Sequence, residues 1–266
     1  MKIYRYLTAD NLPAYAAELP TGEFRAIEGD LFGAFTVGPG VTAPARLLAP
    51  LEPKVIFGIA LNYRAHAAET GKPLPERPVY FIKLPTSVQH PGLPIALPTA
   101  AGSTQVDYEG ELAVIIGKRG KNIAKASALE HVFGYTIAND VSARDWQYQW
   151  GGGQFNRAKS FDTFAPLGPC IVTADEIPNP AVLKLETRLN ADIVQQTGVD
   201  DLVFDVPTLI AFLSASTTLE PGTVILTGTP SGVGHARKPP CYLKPGDTIA
   251  ITIGGIGTLT NPVVQE

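Results

Sequence analysis

This chain is poor in cysteine, in runs of one charge and in long apolar stretches, and each shortage excludes a class of protein. Two cysteines, Cys170 and Cys241, cannot make a disulfide framework and point to a reducing compartment. Cys170 sits among Pro166, Gly168 and Pro169, and Cys241 follows Pro239-Pro240. Neither has a local base, so a cysteine nucleophile is not expected. No basic block offsets the net charge of −4, which argues against an electrostatic footprint for nucleic acid. No apolar run approaches the length that spans a bilayer. Met1-Lys2-Ile3-Tyr4-Arg5-Tyr6 lacks the uninterrupted apolar core of a signal peptide. The expectation is a cytoplasmic protein without nucleic-acid or membrane partners.

What is abundant is glycine and proline, 26 and 24 of 266 residues, without repeats or low complexity. That composition predicts many short strands joined by tight turns. The length allows one large domain, or a large domain with a small appendage. Residues 1–50 read as the appendage, with a helix over Asn11–Leu19 and strand-like pieces from Phe32 to Val37. The proline-punctuated stretch Ala43 to Pro53 is the expected boundary, which leaves residues 51–266 as the main body. There, Lys54–Ala60 is a buried strand by its continuous apolar character. Asn62–Thr70 is a short helix ended by Gly71 and Pro73. Val79–Lys83 and Tyr135–Asp140 are strands. Asp205-Val206-Pro207 opens a further helix, and the C-terminal third is strand-rich. With few, scattered helices, the expected class is α+β, built on a closed or rolled sheet rather than on regular βαβ alternation.

The most informative stretch is Val106 to Gly117, VDYEGELAVIIG. Side chains alternate across a strand, so Glu109 and Glu111 share a face at the head of an apolar run. Two like charges entering a core together are costly unless something positive holds them, and clustered carboxylate oxygens suit a hard divalent cation. A lone E-x-E pair is more often an exposed strand end. Asp140, which closes the Tyr135 strand, supplies a third acid, although a terminal Asp is also a common helix N-cap.

Tyr108-Glu109-Gly110-Glu111, Asn139-Asp140-Val141-Ser142-Ala143-Arg144-Asp145, Lys159-Ser160-Phe161-Asp162 and Thr227-Gly228-Thr229-Pro230-Ser231-Gly232-Val233-Gly234 follow one another in that order. Together with the closing Gly255-Ile256-Gly257-Thr258-Leu259-Thr260-Asn261-Pro262-Val263, they resemble the fumarylacetoacetate hydrolase family over residues 54–264. The resemblance implies a β-rich mixed sandwich roll carrying a small N-terminal α/β domain. It implies Mg²⁺ or Mn²⁺ held by Glu109, Glu111 and Asp140, leaving positions for a chelating 2-oxo acid. His66 and Glu69, at i and i+3 on one helix, match an acid–base dyad in which the carboxylate orients an imidazole that deprotonates water. Lys159 is placed beside the metal, where it stabilises a developing oxyanion. Arg144 and Gln147, one and two helical turns beyond Asp140, and the hydroxyl of Thr229 are suited to substrate oxygens, though Arg144 could equally make a structural ion pair.

The glycine-rich Thr227–Gly234 loop suggests a phosphate-binding turn, but no lysine follows in register and no helix is expected after it. His90, His131 and His235 have no comparable partners. The implied activity is cleavage of a C–C bond in an acylpyruvate such as fumarylpyruvate, releasing pyruvate, as in aromatic catabolism. The alternatives are decarboxylation of a 2-oxo dicarboxylate and isomerisation of a dienoate diacid. A non-catalytic metal-binding protein is the competing class, and the His66, Glu69 and Lys159 set argues against it. Residues 71–78, Tyr148–Phe155 and the N-terminal unit are the candidate determinants of the distal group of the substrate. Relatives of this kind are usually homodimers.

Overall fold

The computed structural model describes all 266 residues. Four N-terminal strands, β1 (Lys2–Leu7), β2 (Pro13–Glu18), β3 (Phe24–Gly29) and β4 (Phe35–Val41), form an antiparallel meander. Its inner strand, β1, pairs with Ala165–Thr173, with Ile3 opposite Ile171. The large sheet then runs through Val132–Asn139, Gly110–Ile116 and Val224–Leu226 to β5 (Ile56–Ala60) and β6 (Val79–Lys83). A second, five-stranded sheet is ordered Asp192–Gly198, Lys184–Leu189, Thr248–Ile253, Gly257–Gln265 and Ile95–Leu97. The architecture is β-rich with few helices, as expected from the glycine and proline content. No helix is long and apolar enough to cross a membrane.

The helix expected over Asn11–Leu19 does not form; that segment is β2, and the N-terminal unit contains strands only. The alanines favour a helix by intrinsic propensity, but β1 and β3 offer backbone partners on both sides, and pairing overrides the preference. Pro13 occupies the first residue of the strand, where its missing N–H costs least.

Gly110–Ile116 is the hub. It is buried along its whole length, so its alternating side chains serve two cores. Leu112, Val114 and Ile116 pack with Leu185, Ile251 and Leu259 of the second sheet and with Leu209, Ile210 and Leu213 of the helix Val206–Ser214. Ala113 and Ile115 face the other way, toward Ile3, Leu51, Leu167 and Ile171. Gly110 itself lies tight against the second sheet. A Cβ there would run into the Thr187 hydroxyl and sit 3.2 Å from the Gln195 amide oxygen, so the residue between the two glutamates has no room for a side chain.

Candidate active site

The antiparallel register sets Gly110 opposite Asn139 and Glu111 opposite Ala138. That brings Asp140 level with Glu109, whose carbonyl accepts the Asp140 N–H at 2.8 Å. Asn139 turns its side chain inward and accepts the Glu109 N–H at 3.0 Å. Glu109, Glu111 and Asp140 are thereby gathered with one ligand oxygen each within 4.8 Å of one another, and all three are buried. The donor set is carboxylate only, with no sulfur or imidazole, which fits a hard divalent ion of the Mg²⁺ or Mn²⁺ kind.

Cations hold these acids in place. Lys159 Nζ lies 2.7 Å from Glu109 Oε2 and 2.7 Å from Asp140 Oδ2. Lys83 Nζ, fully buried, donates to Asp140 Oδ1 at 2.6 Å. Arg144 Nη2 sits 2.7 Å from Glu109 Oε1 and 2.9 Å from Asp107 Oδ2. Burial pushes the Glu109 carboxyl up, but the charges of Lys159 and Arg144 outweigh it and hold the group down to about 2. Glu111 goes the other way. Burial, reinforced by Asp140 and Glu109, raises it well above the usual carboxylate range against the opposing pull of Lys159 and the Gly228 N–H. Lys83 is pushed down by burial more than Asp140 lifts it, whereas Asp140 and Glu109 together hold Lys159 above its usual value despite equal enclosure.

Gly228 donates to Glu111 Oε2 at 2.6 Å from a left-handed backbone (φ 102°), with Asn62 Cβ crowding the place where its own Cβ would stand. Asn62, buried, donates to the Thr227 carbonyl at 2.8 Å and accepts the Phe204 N–H at 2.8 Å. It thus locks the entry of helix α1 (Arg64–Thr70) against the Gly228 loop, and left-handed Gly71 closes the helix. On α1, Glu69 bridges two groups: Oε1 accepts the Gly232 N–H at 2.9 Å and Oε2 lies 3.2 Å from His66 Nδ1. With Nδ1–H directed at the carboxylate, Nε2 is the basic nitrogen of the ring.

His66, Glu109, Arg144, Gln147, Lys159 and Thr229 all line one cavity of about 200 Å³. The structure therefore brings the expected residues together, although three details differ. Arg144 and Gln147 do not lie on successive turns of a regular helix after Asp140. Ser142–Ala143 pairs with Val106–Asp107, and a π-helical turn then carries Trp146–Trp150. Arg144 is tied to Asp107 and Glu109, and its Nη1 donates to Gln147 Oε1 at 2.8 Å, so it braces the acids as well as walling the cavity. The Thr229 hydroxyl donates to the Gly110 carbonyl at 3.1 Å and accepts from Gln195 at 2.8 Å. The N-terminal unit contributes no residue to the lining, whereas Lys72, Pro75, Tyr148 and Phe155 from the other two candidate segments do.

Lys83 and Asp107 were not anticipated. Lys83 was legible as a lysine in phase with buried Phe81 at the end of β6. Asp107 was legible as the first of three acids at alternate positions, 107, 109 and 111. Asp107 accepts the N–H groups of Tyr108, Gly234 and His235 in addition to Arg144, which makes it an anchor rather than a free ligand. His90, His131 and His235 make local contacts outside the cavity, with Ala49 N, Lys118 O and Tyr242 Oη respectively.

Residues 55–264 match the fumarylacetoacetate (FAA) hydrolase C-terminal model, and the chain belongs to that family. It is 48% identical over 219 residues to a mitochondrial oxaloacetate tautomerase of Xenopus laevis, covering 82% of this chain and 68% of the relative. Among solved structures, a fumarylacetoacetate hydrolase from Exiguobacterium antarcticum superposes with a TM-score of 0.88 at 39% identity, with 100% of both chains covered. A 5-carboxymethyl-2-hydroxymuconate delta-isomerase from Mycobacterium smegmatis gives 0.86 at 41% identity, also with 100% of both covered.

Proposed function

We propose that the protein catalyses metal-dependent keto–enol tautomerisation of a small 2-oxo dicarboxylate of the oxaloacetate type. The observation that carries this reading is one cavity lined by His66, which Glu69 orients, together with Glu109 and Lys159, whose ammonium bridges Glu109 to Asp140. A proton shift between C3 and O2 needs those two elements and no attacking water. The relatives named as an oxaloacetate tautomerase and a delta-isomerase support it, since both names describe the movement of a proton along an enolisable acid.

When bound by Glu109, Glu111 and Asp140, a divalent cation would supply Lewis acidity at the substrate's C1 carboxylate and 2-oxo group. The chain's own groups do the rest. His66 Nε2 takes the C3 proton while Glu69 holds the ring and stabilises the imidazolium. The Lys159 ammonium faces the negative charge that appears on O2. The proton then passes from His66 to O2, giving the enol with no atom gained or lost, and the reverse path returns the keto form.

A second reading, hydrolysis of an acylpyruvate, uses the same dyad to activate water and the same lysine to hold the pyruvate enolate. His66, partly exposed, favours it to the extent that water reaches the ring. The test is a panel with Mg²⁺: enol-oxaloacetate, oxaloacetate decarboxylation, and acetylpyruvate or fumarylpyruvate. Accelerated decay of the enol absorbance, faster than any pyruvate release, is expected. Pyruvate release from acylpyruvates with no effect on enol-oxaloacetate would reverse the order of the two readings.

A further inference from the structure

The charges around the carboxylate group leave a defined remainder. Four acids, Asp107, Glu109, Glu111 and Asp140, face three cations, Lys83, Arg144 and Lys159, so fully ionised they sum to one negative charge. A divalent ion converts that to one positive charge, which a single substrate carboxylate balances. A second carboxylate would then enter a cavity lined also by Pro75, Val79, Phe81 and Phe155, with no charge of the carboxylate group left for it. An unpaired anion in such a setting is strongly disfavoured.

Three permanently cationic side chains line the cavity: Lys72, Arg144 and Lys159. Arg144 and Lys159 each contact two carboxylates. Lys72 makes no ion pair with any carboxylate of the chain, since its partner is an aromatic ring: Nζ stands 5.3 Å from the centroid of Tyr148. Tyr148 in turn leans on His235, with ring centroids 5.1 Å apart, and His235 Nδ1 meets Tyr242 Oη at 2.9 Å. The backbone of Lys72 is fixed where α1 ends, its N–H donating to the Ala67 carbonyl at 3.0 Å. A cation whose backbone is pinned and whose head rests on a ring retains all its hydrogen-bond donors for a ligand.

We infer that Lys72 is the receptor for the distal carboxylate of the substrate and sets the preference of the site for dicarboxylates over monocarboxylates. This rests on the 2-oxo dicarboxylate reading above and assigns one end of the substrate to a residue. Pro75, Val79, Phe81 and Phe155 give the same cavity apolar wall for the connecting carbons, while Lys72 and the Glu109–Lys159 pair carry the polar recognition. Arg77, on the same loop, does not line the cavity and takes no part.

The test pairs each dianion with its monoanionic ester. Turnover is compared for oxaloacetate and its 4-methyl ester. Binding to Mn²⁺-loaded protein is measured calorimetrically for the non-enolisable mimic N-oxalylglycine and its glycine-end methyl ester. In the wild type the dianion should be preferred in both assays. Lys72→Met should reduce the dianion-to-ester ratio about fivefold, mainly through KM and Kd, as expected for a charge-assisted contact to an exposed lysine. Lys72→Arg should restore most of the ratio, and Mn²⁺ affinity should stay the same in both variants. An unchanged ratio in Lys72→Met, or a wild type that binds ester and dianion alike, overturns the assignment. Wild-type protein that binds the dianion in a Lys72-dependent way but leaves enol-oxaloacetate untouched would sink the tautomerase reading and keep this one.

Discussion

Replacing Lys159 by methionine separates binding of the ion from stabilisation of the reacting charge. Lys159 Nζ touches both Glu109 and Asp140 and is almost completely enclosed. Methionine fills a similar volume and removes one positive charge, so the loaded site falls from one net positive charge to none. A unit charge about 4 Å from a developing oxyanion is worth roughly 4 kcal/mol at an effective dielectric constant near 20. Removing one preorganised oxyanion partner typically costs about 10²–10³ in kcat. The expected loss in the enol-to-keto rate is therefore on the order of 10²-fold or more. The ion itself responds in the opposite sense. Lysine repels a divalent cation at the same oxygens, so Mn²⁺ should bind Lys159→Met at least as tightly as wild type. The assay is stopped-flow ultraviolet absorbance of enol-oxaloacetate at saturating Mg²⁺, with Mn²⁺ titration calorimetry alongside. Unchanged kcat would refute the role of the ammonium, and weakened Mn²⁺ binding would refute the electrostatic reasoning.

Other outcomes follow from the same charges. Lys83→Met leaves Asp140 with one buried cation instead of two. Breaking a buried pair of this kind costs about 3–5 kcal/mol, so metal-free protein should melt several degrees lower, with Mg²⁺ narrowing the gap; an equal Tm without metal would contradict this. Burial and its two acidic neighbours raise the Glu111 carboxyl well above its ordinary value in the unfolded chain. A raised carboxyl stabilises the fold fully below the unfolded value and loses that contribution as pH rises through the folded one, so metal-free protein should weaken over that window. Melting curves in EDTA should show the slope in wild type and a flatter profile in Glu111→Gln; identical slopes would remove Glu111 as the source. His66→Ala should lower kcat about 10²–10⁴-fold without altering Mn²⁺ affinity, and an intact rate would take the dyad out of the chemistry.

Much of the site was legible because it rests on period-two alternation and short spacings. Glu109 and Glu111 had to share a face, and His66 and Glu69 had to meet on one helix, whatever lay around them. Glycine between the two glutamates was a visible residue with an invisible cause, since only the packed sheets reveal Thr187 and Gln195 against it. Lys83 was hidden for a related reason. A lysine at a strand end reads as a solvated terminus until the turn at Asp140 is seen to point a carboxylate at it. The Asn11–Leu19 segment misled because its alanines speak locally for a helix, while the strands that claim it are contributed by residues on either side. Arg144 lines the cavity by a route other than the expected helical spacing, because the Ser142–Ala143 bridge to Val106–Asp107 is a long-range pairing.

The most direct test of the account is the rate at which enol-oxaloacetate converts to the keto form in the presence of purified protein, stripped of metal and then reloaded. The stripped protein should leave the spontaneous rate unchanged, Mg²⁺ or Mn²⁺ should restore catalysis, and Glu109→Gln should remain inactive at the same metal concentration. Full activity in exhaustively chelated wild type, or full activity in metal-loaded Glu109→Gln, would contradict a carboxylate-held metal as the centre of this site.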